Sequence, residues 1–252
     1  MHPYINIGFV EIPSYGVMLA IAFIVSLVIA SKRAEKEGIE PNLILDLAFW
    51  VAFFGILGGR LYFVVEHFNY YLQKPWEVFY LWQGGLGIYG ALVLGFTAGV
   101  FYLKRKGLPF LKVADIAFSV LPIGQGIGRI GCFLAGCCYG SYCEYPIGVI
   151  FRDPRSLAPI GVRIWPTQLF ESALCFLIFI YLSFVFNKSK KDGEIMFLYF
   201  ILYGFVRFVV EFFRGDPRTY LGLISTPQFF SILFIIIGIA GLIFINRKTK
   251  NG

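Results

Sequence analysis

Charge is scarce in this chain and histidine is almost absent. Lys, Arg, Asp and Glu together make up 15% of 252 residues, and His2 and His67 are its two imidazoles. Soluble domains carry about 25% charged residues, so this composition does not supply a water-facing surface. Neither histidine falls in the polar constellation described below. His2 reads as a terminal residue and His67 as a membrane-interface residue, which leaves no obvious histidine base. A basic leader is also lacking. The first dozen residues hold no Lys or Arg, and the first apolar run outlasts a signal-peptide core, so no cleavable signal peptide is expected. Internal repeats and low-complexity linkers are missing too, which makes one transmembrane domain, 1–252, the expectation.

Apolar residues are abundant, at 58%, with 19% aromatic. Soluble domains are about 45–50% apolar. Seven apolar segments reach the about 20 residues that span a bilayer, at roughly 13–31, 43–65, 86–103, 113–134, 166–186, 195–213 and 226–246. The third is the shortest and has room to begin earlier. The expected fold class is an all-α polytopic membrane protein with about seven transmembrane helices. Most of the 22 basic residues fall in alternate connections: Lys32, Arg33 and Lys36; Lys104, Arg105, Lys106 and Lys112; Lys188, Lys190 and Lys191; and Arg247, Lys248 and Lys250. The other connections hold Lys74, Arg152, Arg155, Arg163, Arg214 and Arg218. The positive-inside rule then places the N-terminus outside and the C-terminus in the cytoplasm. The net charge of +7 is thus a topology signal and not a nucleic-acid signal. The longest connection, about 135–165, faces outward and is long enough to be functional.

One stretch organises the rest. Gly124-Gln-Gly-Ile-Gly-Arg-Ile-Gly-Cys-Phe-Leu-Ala-Gly-Cys-Cys-Tyr-Gly140 starts inside the fourth segment, carries Arg129 and ends in glycines and cysteines. Gly124 and Gly128 have GxxxG spacing, which lets another helix approach the backbone. The glycines are not a dinucleotide fingerprint, because no βαβ unit surrounds them. Arg60 and Arg207 also stand inside apolar segments, with Glu211 at i+4 and Arg214 at i+7 from Arg207. Segments two, four and six all run from inside to outside, so their arginines share a depth near the outer leaflet. Tyr15 and Gly84-Gly85 enter the membrane at that depth. A structural ion pair would explain Arg207 and Glu211, and snorkelling would explain Arg60. At roughly 2.5–3.5 kcal/mol each, however, four such charges cost about 10–14 kcal/mol, as much as a typical folding margin. One glutamate does not neutralise three arginines. An anionic ligand or a wet cavity completes the set. Guanidinium forks suit phosphate, and an anionic phospholipid supplies phosphate at that depth.

Cys132, Cys137, Cys138 and Cys143 read C-x4-CC-x4-C at the outer end of segment four, while Cys175 sits alone in segment five as a packing residue. Zinc sites prefer closer Cys pairs. Disulfides or buried thiols, a direct role in a site, and a metal site are the readings open for the four, with a disulfide staple of the outer loop the leading expectation.

So read, the chain resembles the prolipoprotein diacylglyceryl transferase family along nearly its whole length. The family signature Gly-Arg-x-Gly-Asn-Phe-x-Asn-x-Glu-x-x-Gly is matched by Gly128, Arg129, Gly131, Phe133 and Gly140. Ser14-Tyr15-Gly16, Gly58-Gly59-Arg60, Gly84-Gly85-Leu86, the Pro166–Glu171 run with Gln168, the Tyr203–Arg214 helix and Gln228 match further family motifs. The chain is a divergent member. Cys132 and Cys137 stand at the signature's first Asn and its Glu, and Ala135 at its second Asn. Tyr89 and Trp165 replace two histidines. The resemblance implies transfer of the diacylglyceryl group of phosphatidylglycerol to the lipobox cysteine of an exported prolipoprotein, recognised through its signal peptide, in the bacterial plasma membrane, with the active site toward the outer leaflet. Arg129, Arg207, Glu211, Tyr89 and Cys137 are the catalytic candidates. Tyr15, Arg60, Gly84, Gly85, Gly128, Gly131, Gly140, Gln168 and Arg214 are the substrate-binding candidates. The scheme requires no metal or cofactor. With a pKa of about 8.5 a substrate thiol is about a tenth ionised near a pH of about 7.5, so ionising it fully gains about tenfold. Under the reading in which Cys137 has a direct role, Arg129 nearby ionises its thiol, as the alternative to the disulfide staple. Two other classes remain in view: a membrane thiol oxidoreductase using the Cys132–Cys143 cluster, and a non-enzymatic binder or transporter of anionic lipid.

Overall fold

The computed structural model describes residues 2–8, 10–81, 84–189, 191–217 and 220–250; Lys190 and Arg218, counted above among the loop charges, lie outside them. The chain is mostly helical, at 70%. It divides into two compact units, Met1–Ala30 with Ala114–Gly252, and Ser31–Val113.

Seven long helices take up the seven apolar segments: α1 (Ser14–Lys36), α2 (Pro41–Glu66), α4 (Ile88–Lys106), α5 (Phe110–Ala135), α6 (Thr167–Phe186), α7 (Glu194–Glu211) and α8 (Thr226–Lys250). A short α3 (Phe68–Gln73) and a 3-10 turn at Pro75–Phe79 lie between α2 and α4. Among the described residues five helices are long and apolar enough to cross a membrane: α1, α2, α5, α6 and α8 over Thr226–Arg247. The protein is a multi-pass membrane protein. Large apolar side chains such as Ile24, Phe96, Ile180, Phe205 and Phe244 are exposed along these helices, as lipid-facing side chains are and water-facing ones are not.

The all-α expectation needs one correction. Among the described residues three two-stranded antiparallel hairpins are present: β1 (Tyr4–Ile7) with β2 (Val10–Pro13), β3 (Val149–Ile150) with β4 (Arg163–Ile164), and β5 (Tyr220–Leu221) with β6 (Ile224–Ser225). Their strands are two to four residues long, too short to leave a period in the sequence. The third apolar segment also does not begin early. Gly84 and Gly85 have φ of +82° and +78°, and a right-handed helix cannot run through two left-handed residues.

In the unit Ser31–Val113, α2 and α4 approach backbone to backbone. A Cβ at Gly58 would strike the Gly90 carbonyl, and one at Gly90 the Gly58 carbonyl. Small residues permit such an approach between membrane helices. In the other unit, α7 and α8 do the same at Gly204 and Gly238. A Cβ at Gly204 would sit 2.9 Å from the Ser231 carbonyl oxygen, and one at Gly238 2.7 Å from that of Phe197. The GxxxG reading of α5 is modified. A Cβ at Gly124 would lie 2.7 Å from Ser26 Oγ of α1, and one at Gly131 2.9 Å from Met18 Cβ, whereas Gly128 has nothing within 4 Å. The seam is therefore Gly124 with Gly131, seven residues apart and on one helix face. The buried stripe of α6 is polar at its start, with Thr167, Gln168, Glu171 and Ser172, and becomes apolar from Cys175 through Ile178 to Leu182.

Candidate active site

The polar start of α6 faces two arginine-bearing helices. Arg129, in the last two turns of α5, places Nη2 2.8 Å from Glu171 Oε1, and the Tyr203 hydroxyl donates to the same oxygen at 3.1 Å. Tyr203 lies one turn before Arg207 on α7, so the two share a face. Arg207 Nη1 stands 2.9 Å from Glu211 Oε2, and Ser225 Oγ donates to Glu211 Oε1 at 2.8 Å. Ser225 is held in turn by Gln228, whose Oε1 accepts the Ser225 N–H at 3.0 Å. Glu171 and Glu211 side chains are each 2% exposed, against 18% for Arg129 and 15% for Arg207. The carboxylates are therefore the fixed anchors and the guanidiniums the reachable ends. A guanidinium carries five N–H donors, so one carboxylate contact leaves several for another acceptor.

This corrects the charge count made from the sequence. Arg129 has its own carboxylate in Glu171. Arg214 has Asp216, with Nη2–Oδ2 at 2.7 Å and Nε–Oδ1 at 3.0 Å. Arg60, in the other unit, pairs with carbonyl oxygens: Nε with Val78 at 2.8 Å, Nη1 with Gly84 at 2.7 Å and Gly85 at 3.1 Å, and Nη2 with Glu77 and Tyr80. Arg60 is 5% exposed and does not snorkel. It binds the 77–85 connection onto α2. Tyr89, in the same unit, is half exposed, its ring 6.0 Å from that of Tyr62.

The loop after α5 is folded. Gly136 turns the chain at φ +81°, and its N–H donates to Cys132 O at 2.9 Å. Cys138 has φ +59° and is the non-glycine residue with a positive φ among those described. The first turn of α6 clamps this turn: Gln168 Nε2 donates to Cys137 O at 2.8 Å and Thr167 Oγ1 to Cys138 O at 3.1 Å. Gly140 N–H donates to Trp165 O at 3.1 Å, and Ser141 N–H to Phe213 O at 2.8 Å. Gly140 bridges to Arg214, and a Cβ there would strike Trp165. Phe151, Ala158 and Ile164 form a core against which Phe133, Tyr139 and Val149 pack. Tyr15, second in α1 and exposed, passes 3.3 Å from where a Gly131 Cβ would be.

The expected disulfide staple does not form, because all five cysteines are free thiols. The left-handed turn instead gathers the sulfurs of Cys132, Cys137 and Cys138 within 4.8 Å of one another. Cys143 is buried apart, its Sγ 3.6 Å from Tyr145 O. Hydrogen bonds from Cys132 and Cys137 hold the Cys138 thiol below its ordinary range, against its burial, with the Arg214 and Arg129 charges assisting. The same sharing pushes Cys137 up. The direction at Cys137 is therefore opposite to the one expected from a neighbouring arginine.

Of the residues named from the sequence, Arg129, Arg207, Glu211, Tyr15, Gly128, Gly131, Cys137, Gly140, Gln168 and Arg214 lie in one unit, and Arg60, Gly84, Gly85 and Tyr89 in the other. Sequence reasoning assigned no role to Glu171, Tyr203, Thr167 or Ser225. The signal for Glu171 was present, since a carboxylate in an apolar segment is as costly as the arginines were.

A family model described as prolipoprotein diacylglyceryl transferase matches residues 3–244. A phosphatidylglycerol–prolipoprotein diacylglyceryl transferase of Clostridium tetani is 38% identical over 229 residues, 91% of this chain and 91% of its own. The enzyme of that name numbered 2 in Clostridium perfringens is 38% identical over 242 residues, 96% of this chain and 93% of its own. That of Thermotoga maritima is 34% identical over 252 residues, 97% of this chain and 85% of its own.

Proposed function

The chain belongs to the prolipoprotein diacylglyceryl transferase family, and on that premise we propose that it transfers the diacylglyceryl group of phosphatidylglycerol to the cysteine thiol of a prolipoprotein. The observation that carries the reading is the pair of reachable guanidiniums, Arg129 and Arg207, each anchored on a buried carboxylate. They bind the lipid phosphate through paired charge-assisted hydrogen bonds. The substrate thiolate attacks the glycerol carbon that bears the phosphate ester. The C–S bond forms, the C–O bond breaks, and its electron pair leaves on glycerol phosphate. Charge grows on that phosphate as it departs, and donors already fixed in place stabilise it without reorganising. Glu171 and Glu211 act as positioning residues for Arg129 and Arg207. Tyr15, Gly128, Gly131, Gly140, Gln168 and Arg214 shape the lipid site.

The chain crosses the plasma membrane seven times as one transmembrane domain, with the N-terminus outside, the C-terminus in the cytoplasm and the 135–165 loop and active site toward the outer leaflet, where signal peptides of exported prolipoproteins arrive. Alternating basic connections support this topology. The test is complementation of a bacterium depleted of its own transferase. Mature, diacylglyceryl-modified lipoprotein is expected. Unmodified precursor in cells that hold the protein in the membrane overturns the reading.

A further inference from the structure

Cys132, Cys137 and Cys138 have no role in the phosphate chemistry above, yet the fold brings them together. Their sulfurs lie within 4.8 Å of one another. A tetrahedral zinc with Zn–S of about 2.3 Å spaces its sulfurs by about 3.8 Å, so closure needs movements of about 1 Å. The backbone is already committed. Cys138 is held at φ +59°, a conformation L-residues avoid. The carbonyls of Cys137 and Cys138 are both clamped by side chains of α6. That geometry aligns two adjacent residues with a third in the last turns of α5. Cys143 and Cys175, buried elsewhere, are not in the set.

We propose that Cys132, Cys137 and Cys138 form a three-thiolate site for a thiophilic divalent cation, zinc by preference, whose fourth position takes the thiol of the incoming cysteine. This second half rests on the transferase reading. Three protein ligands and one open position are the arrangement of a catalytic zinc, whereas a structural zinc closes all four. Soft sulfur donors select zinc over the hard cations. Three thiolates on Zn2+ carry a net single negative charge, a modest charge for the site to hold. Cys137 and Cys138 are partly exposed, so a substrate can reach the fourth position. Bound to the metal, the substrate thiol gives up its proton to water and stays a thiolate. It then attacks the glycerol carbon; C–S forms as C–O breaks, and no electrons are gained or lost overall. The metal would thereby do what a base does elsewhere, in a chain where His67 stacks on Phe63 of its own unit.

The test uses the full chain in detergent under mild reductant. Zinc is measured on the purified protein, and cobalt(II) is titrated into the metal-free form. About one zinc per chain and an intense sulfur-to-cobalt charge-transfer band with tetrahedral d–d bands are expected. Cys132→Ser, Cys137→Ser and Cys138→Ser should each weaken cobalt binding by at least about tenfold, while Cys143→Ser and Cys175→Ser keep the wild-type spectrum. A lipobox-cysteine peptide should intensify the band by adding a fourth sulfur, and its Cys→Ser analogue should not. Absence of the thiolate spectrum from wild-type protein, an unchanged spectrum in all three variants, or a disulfide within the trio under these conditions overturns the site. A cobalt spectrum with no peptide response, or diacylglyceryl transfer that survives full chelation, overturns the substrate-binding half. A cobalt spectrum that meets every expectation in protein unable to transfer from phosphatidylglycerol upholds the metal site and removes the transferase reading instead.

Discussion

Arg129 and Glu171 show how a charge is kept inside an apolar segment. The carboxylate is nearly sealed and the guanidinium is not. Breaking a buried pair by removing one partner costs about 3–5 kcal/mol, because the other is left uncompensated. Glu171→Gln is therefore expected to lower thermal stability as well as activity, and Tyr203→Phe, which removes one hydrogen bond to Glu171, to cost about 1 kcal/mol. A double-mutant cycle between Glu171 and Tyr203 should show coupling, since the Tyr203 hydroxyl donates to Glu171 Oε1. Arg129→Lys keeps the charge and loses the fork. It is expected to lower turnover by about 10- to 100-fold, the worth of one charge-assisted hydrogen bond. Arg207→Ala should be at least as defective. Wild-type turnover in both Arg129→Ala and Arg207→Ala would remove them from the site.

At the scale of the helix, glycine contacts separate packing from function. Gly58 and Gly90 let α2 and α4 touch backbone to backbone. Gly58→Leu must push the helices apart, and overpacking of this kind costs typically about 1–3 kcal/mol. A lower melting temperature in detergent checks it. Gly128 is the opposite case. A Cβ there meets nothing within 4 Å, so Gly128→Ala is expected to melt as wild type while raising KM for phosphatidylglycerol. An unchanged KM would take Gly128 out of the lipid site. The loop after α5 is held by the Thr167 and Gln168 clamps and by the Phe151 core and not by a disulfide. Reductant should therefore leave its stability unchanged.

Across the whole molecule the charge pattern is the strongest constraint. Reporter fusions after Lys36, Lys106 and Lys191 are expected to read cytoplasmic, and a fusion within 153–159 external. An external signal at Lys106 would invert the topology and with it the leaflet on which transfer occurs.

The sequence by itself determined the membrane class, the seven apolar helices and the three arginines that stand within them. These follow from composition, period and the cost of charge in lipid, all of which are local properties. It also located the cysteine-rich turn. Tertiary structure alone decided the partners. Glu171 reaches Arg129 from a helix 42 positions away, Ser225 reaches Glu211 through a hairpin, and Arg60 spends its donors on carbonyls that no side-chain pattern reveals. The hairpins escaped because two- to four-residue strands leave no period to detect. The disulfide expectation failed for a related reason: C-x4-CC-x4-C fixes which sulfurs are near in sequence, but the left-handed turn at Gly136 and Cys138, clamped by α6, decides which meet.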